Sequence, residues 1–241
     1  MTAVAALRKE PVFELKAPPP SRDEALRLYR RAREISKRHH AALQDTLSWN
    51  VIVQHARRLG LLEGKTFLLD TLDDMTLAVD LAIHTAPPDR SRAIDRYANS
   101  TRLAQGSEEA MVLDAMRKAR FALLLIRERH PSAGVIVSDL IRETDLWLMD
   151  EGIETSLPDG SVVATRYYSV GSFVMTAGVC LPIQGDALAL ASARVPQLAR
   201  KAPPEAIQDR RFAEAIYRGA LRDGTMERVQ LRDAPSPDEE A

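Results

Sequence analysis

The sequence predicts an α+β fold, mainly helical, with a four-stranded antiparallel β-meander in its second half. Three observations lead there. Up to about residue 130, apolar residues recur at three- and four-residue spacing between helix-capping signals. From Gly134 to Pro182 the chain changes to short apolar runs separated by turn residues. Only 5% of the 241 residues are aromatic, so the core is built from Leu, Ala, Val, Ile and Met, which suits helix packing. With 45% hydrophobic and 28% charged residues, the chain has the composition of a globular protein.

The first segment, 1–20, ends in Ala17 followed by Pro18, Pro19 and Pro20 and is expected to be a disordered arm. A helical region over 21–130 follows. Ser21 with Glu24 matches a capping box, and Leu26, Tyr29, Ala32, Ile35, Ala42 and Leu43 lie at helical spacing, which predicts a helix over about 22–46. A second helix from Trp49 to Leu59 is closed by Gly60. After a turn at Gly64 and Lys65, Thr66 to Leu69 reads as a strand or an extended connection. Thr71 can cap a helix with Asp73 and Asp74 in its first turn, where carboxylates favour the dipole. It runs to His84 and is stopped by Pro87 and Pro88. A short helix over Ser91 to Asn99 comes next. Ser107 then starts a helix whose Val112, Met116, Ala119, Leu123 and Ile126 face one side until His130 and Pro131.

The meander occupies 134–182, with strands at Val135 to Ile141, Leu146 to Asp150, Ser161 to Val170 and Phe173 to Leu181. Gly171 and Ser172 join the last two strands as a tight hairpin. Alternation along the third strand sends Val163, Thr165, Tyr167 and Ser169 one way, and Val162, Ala164, Arg166, Tyr168 and Val170 the other. Neither face is purely apolar, so at least one meets solvent or another element. Helices return over 186–224, interrupted by Pro196 and restarted at Pro203 and Pro204. The tail, 225–241, is expected to be disordered.

The 33 basic and 34 acidic side chains leave a formal charge of −1, which creates no general field toward nucleic acid or anionic lipid. The single Cys180 rules out a disulfide framework within the chain and a multi-cysteine zinc site. It fits a reducing compartment, and a cytoplasmic location is expected. There is no signal-like start and no run of 18 apolar residues, so no membrane span is expected. Phosphate-loop, Gly-x-Ser-x-Gly, His-Glu-x-x-His and Cys-x-x-Cys patterns are all missing, which disfavours the commonest nucleotide, hydrolase and zinc classes.

Two polar constellations stand out. Projected at about 100° per residue, Asp73, Asp80 and His84 fall within a sector of roughly 40°, with apolar residues on both flanks. A helix of that kind can be largely buried, and its polar groups then need partners. The leading reading is an ordinary i,i+4 surface pair of Asp80 and His84, with Asp73 serving the helix start; the alternative makes Asp80 and His84 metal ligands, carboxylate plus imidazole suiting a divalent transition metal. The first helix supplies the second constellation: Arg27, Arg30, Arg31 and Arg38 share one side and could contact phosphates. No interleaved aromatics accompany them, so a solvated face, or pairing with acids elsewhere, is the competing reading. His39 and His40 point to different faces, His55 and His130 stand alone, and the carboxylates of the β-region sit mostly at strand ends and turns.

Gly134 to Ile141, Leu146 to Asp150, Pro158-Asp159-Gly160 and Ala164-Thr165-Arg166 together resemble a β-module of uncharacterised bacterial proteins. Some of those carry a C-terminal SEC-C metal-binding motif, which this chain lacks. The resemblance implies a compact β-unit and no mechanism. The sequence thus leads to a protein of unknown function, read as a non-catalytic intracellular binding or regulatory protein acting through helix-mediated contacts. A protein partner or a second copy of the chain is the expected interaction, nucleic acid is disfavoured, and no cofactor is expected. The alternatives are a motif-poor, metal-dependent enzyme centred on Asp80 and His84, and a nucleic-acid accessory protein using the basic helix over 22–40.

Overall fold

The capping signals of the N-terminal half operate as the sequence indicates. In the computed structural model, which describes residues 20–64, 66–68, 74–183 and 187–223, helix α1 (Arg22–Thr46) begins where the Ser21 hydroxyl accepts from the Glu24 amide. It buries Ala25, Tyr29, Ala32, Ile35 and Leu43 on one stripe. Helix α2 (Trp49–Leu59) stops at Gly60, whose φ of 86° is a left-handed conformation that costs a glycine little. The hairpin of β1 (Leu62–Glu63) and β2 (Thr66–Phe67) leads towards α3 (Asp74–His84). The expected cap Thr71 and Asp73 lie outside the described residues. Helices α4 (Ala93–Ser100) and α5 (Glu108–Arg117) complete this half, and the Ser107 hydroxyl caps α5 by accepting from the Ala110 amide.

The predicted continuation of α5 to residue 130 is wrong. The helix ends at Arg117, and Arg120–Arg129 forms strand β3. From Phe121 to Ile126 every residue is apolar, and such a run contains helical spacing by default. It is equally the pattern of a strand covered on both faces.

That strand also overturns the four-stranded antiparallel meander. With β4 (Val135–Asp139), β5 (Thr144–Met149), β6 (Val162–Val170) and β7 (Phe173–Pro182), β3 closes a five-stranded mixed barrel in the order β3-β4-β5-β7-β6. β5 and β7 are parallel, pairing Leu148 with Val174 and Met149 with Met175, while the other neighbours are antiparallel. Without β3 the observed order β4-β5-β7-β6 would leave β4 and β6 as unpaired edges; β3 pairs with both and removes them. Between β5 and β6 the chain forms α6 (Glu151–Ser156), capped where the Asp150 carboxylate accepts from the Ile153 amide.

Closure gives the strands one face in the barrel interior, and helices cover much of the other. Leu124, Ile126, Val135, Val137, Leu148, Val163 and Val174 fill the interior with Ile153 of α6. Outside, Trp147, Tyr168 and Met175 pack against the α1 side with Tyr29 and Ile35. The opposite outer surface, with Phe121, Leu123 and Ala164, packs against α3 and the C-terminal helices through Leu77, Leu81, Phe212, Ile216 and Tyr217. Those helices are α7 (Ala187–Arg194), a 3-10 turn (Pro196–Arg200), α8 (Pro203–Ala206) and α9 (Arg210–Arg222). The helix expected from Pro203 onward is split in two because Asp209 caps a new start, its carboxylate accepting from the Arg211 amide. Among the described residues no helix is long and apolar enough to cross a membrane.

Candidate functional site

Helix α3 lies between the barrel and α9 with both flanks apolar, so its polar line is buried rather than exposed. Asp80 and His84 are each only 6% exposed. Across the interface β6 presents Arg166, which lies directly opposite Phe121 of β3 in the sheet register. Its guanidinium sits over the Phe121 ring, 5.2 Å from the centroid, and its Nε donates to both Asp80 oxygens at 3.0 Å. Tyr217 of α9 donates its hydroxyl to Asp80 Oδ2 at 2.8 Å. Three elements are thereby joined through one carboxylate.

The electrostatics follow from this arrangement. Burial alone would raise the Asp80 pKa, but the Arg166 charge, aided by His84 and the two hydrogen bonds, holds it below the usual carboxylate value. Burial of the Tyr217 phenol beside that carboxylate pushes its pKa well above the usual 10. With both oxygens accepting hydrogen bonds, Asp80 is poorly placed to take up a proton or an ion. Among the described residues no three His, Cys, Asp or Glu side chains converge as a metal site.

His84 is different. Both of its ring nitrogens are buried without a hydrogen-bond partner among the described residues. Burial lowers its pKa from 6.5 to about 3, against the attraction of Asp80, so the imidazole is neutral. It forms part of the wall of two cavities. One, of about 250 Å³, is lined by Arg90, Arg92, Arg166, Asp209, Arg210 and neighbouring residues. The other, of about 520 Å³, is lined by His40, Gln44, Asp80 and a largely apolar wall that includes Met75, Val79 and Ile83. His40 is also held neutral, its pKa lowered by burial to about 4.

The structure thus brings Asp80 and His84 together in a buried site and places the basic helix elsewhere. Arg30 pairs with Glu151, Arg31 with Glu108 and Arg38 with Glu109, while Arg27 has no ion pair among the described residues. Arg33 is more deeply committed: it donates to Asp150 and to the Thr176 hydroxyl and carbonyl, which fastens α1 to the barrel. Asp139 is fully buried, with bonds from Arg142, Tyr167 and two backbone amides.

Sequence reasoning missed Arg166, Tyr217, Arg90, Arg92 and Arg210 as site residues. For Arg166 a signal existed. An arginine on the same strand face as Ala164 and Tyr168 calls for a carboxylate, and Asp80 is the one acid of α3 beyond its first turn. The others come together only through the tertiary fold.

The barrel has the five-stranded plan of OB-type barrels, in which strands two and three and adjacent loops serve oligonucleotides and oligosaccharides. Here the corresponding outward residues of β4 and β5 are Ile136, Ser138, Asp145 and the buried Trp147. None of these four positions carries a cation, and Trp147 is covered.

A family model matches residues 23–227, and the chain belongs to that family, DUF7986, a family of unknown function. No curated protein and no solved structure matches the chain.

Proposed function

We propose that the protein is a non-catalytic binding protein that holds a small polar ligand against His84, at the junction of α3, the barrel and α9. The observation that carries this reading is the imidazole itself. Buried polar groups are almost always hydrogen-bonded, yet both nitrogens of His84 lack a partner among the described residues and the ring borders two cavities. A ligand in either cavity can supply the missing bond. The Asp80–Arg166–Tyr217 triad favours binding over catalysis, because its carboxylate is already fully engaged.

The test is a thermal-stability screen of the purified full chain against inorganic phosphate, sulfate, acetate, citrate, glucose and arginine. A ligand that binds the folded state raises the melting temperature saturably. At least one probe is expected to do so, with the shift lost in His84→Leu. No saturable response, or one unchanged in that variant, would count against the reading.

A further inference from the structure

The smaller cavity has a chemistry of its own. Its wall carries Arg90, Arg92, Arg166 and Arg210 beside His84, with Asp209 as its acid. The acid is already neutralised: Arg211 donates to it at 2.7 and 2.9 Å, and Lys201 at 2.7 Å. Arg92 is committed to Asp95 and to the Arg117 carbonyl. Arg166 uses its Nε on Asp80, and neither of its terminal nitrogens has a hydrogen bond among the described residues. Arg90 and Arg210 are exposed and have no ion pair among the described residues. Arg210 is also the first residue of α9, whose N-terminus is capped by Asp209.

We propose that this cavity binds a phosphoryl dianion, either inorganic phosphate or the head of a small phosphomonoester. The assignment rests on the reading of His84 as a ligand-binding residue and names the ligand class of that site. Two guanidiniums without an ion pair, those of Arg90 and Arg210, match a double negative charge. Together with the terminal nitrogens of Arg166 they line the cavity from the loop after α3, from the start of α9 and from β6, with His84 at the end of α3. A planar carboxylate is satisfied by one fork of a single arginine, whereas a tetrahedral group with three terminal oxygens uses donors from several directions. A neutral imidazole has one donor and one acceptor nitrogen, so His84 can donate to a phosphoryl oxygen. At about 250 Å³ the cavity is below the usual range for drug-sized ligands and suits a headgroup.

The experiment is calorimetric titration of the full chain with inorganic phosphate and methyl phosphate, and with sulfate, acetate and citrate, at pH 7.5 and constant ionic strength. The wild type is compared with the double variant Arg90→Ser, Arg210→Ser, whose exposed side chains can be removed without disturbing the core, and with His84→Gln. Saturable binding of both phosphates is expected, weakened at least tenfold in the double variant, with its ligand-free melting temperature unchanged. Weakening in His84→Gln would place the imidazole at the ligand. Phosphate binding equal in wild type and double variant would overturn the proposal. A preference for acetate or citrate would overturn the phosphoryl assignment and leave ligand binding at His84 standing. No response to any probe, here and in the thermal screen, would overturn both.

Discussion

Asp80 and Arg166 neutralise one another in an environment where either charge alone would be buried without an ionic partner. Removing one member of a buried pair strands the other, which costs about 3–5 kcal/mol. Asp80→Asn is therefore expected to lose stability of that order in urea denaturation. The same change in the exposed Arg31–Glu108 pair, both side chains being 54% exposed, should cost less than about 1 kcal/mol. His84 carries a second expectation, on pH. Its folded-state pKa of about 3 lies below the ordinary 6.5, so the unfolded chain takes up the proton first. Its contribution is complete above pH 6.5 and declines as pH falls toward 3, by about 1.4 kcal/mol per pH unit. His40 and His55, both lowered to about 4 by burial, act in the same direction. The depressed Asp80 adds a further loss in stronger acid, as pH drops below its ordinary 3.8. A series of denaturation curves from pH 7 to 4 should show stability falling steadily, and His84→Gln should reduce the slope by the equivalent of one proton.

At the scale of elements, the glycine before β4 differs from the glycine of the β6–β7 hairpin. Gly134 has a φ of 75°, and a Cβ there would run into the Leu148 carbonyl of the neighbouring strand. Gly171 has a φ of 58° with open space around it. Gly171→Ala should therefore cost about 1 kcal/mol, the backbone penalty alone. Gly134→Ala should cost clearly more, because the barrel must open to admit the methyl; chemical denaturation of both variants would check the ranking. The same elements show how much of the fold was legible. α1 and α2 were readable to the residue, since Ser21 and Gly60 mark their ends with side-chain and backbone chemistry. The β6–β7 hairpin was readable from Gly171 and Ser172. β3 was not, because a run apolar at every position from Phe121 to Ile126 satisfies any period. Losing that strand hid the closure and the parallel β5–β7 pair, which no local pattern encodes. Half of the candidate site was visible on α3 as an Asp and a His in an apolar helix. The other half comes from residues 86 and 137 positions away from Asp80, Arg166 and Tyr217.

Across the whole molecule, the barrel serves as a common wall for two outer cores, and the site lies where the α3 and α9 core meets it. α1 is fastened on the other side by Arg33, Asp150 and Thr176. The apolar stripe of α1, with Ala25, Tyr29, Ile35 and Leu43, is buried among α3, α4, α5 and the outer face of the barrel. This packing encloses the imidazole of His84, neutral through burial, with both ring nitrogens lacking a partner among the described residues. The most direct measurement is the nitrogen-15 spectrum of the His84 ring in the full chain, assigned by its loss in His84→Gln and followed from pH 8 to pH 4. Signals of a neutral ring are expected throughout that range, with a ring-nitrogen shift when inorganic phosphate is added. A ring that protonates near pH 6.5, as an exposed histidine does, would contradict that expectation.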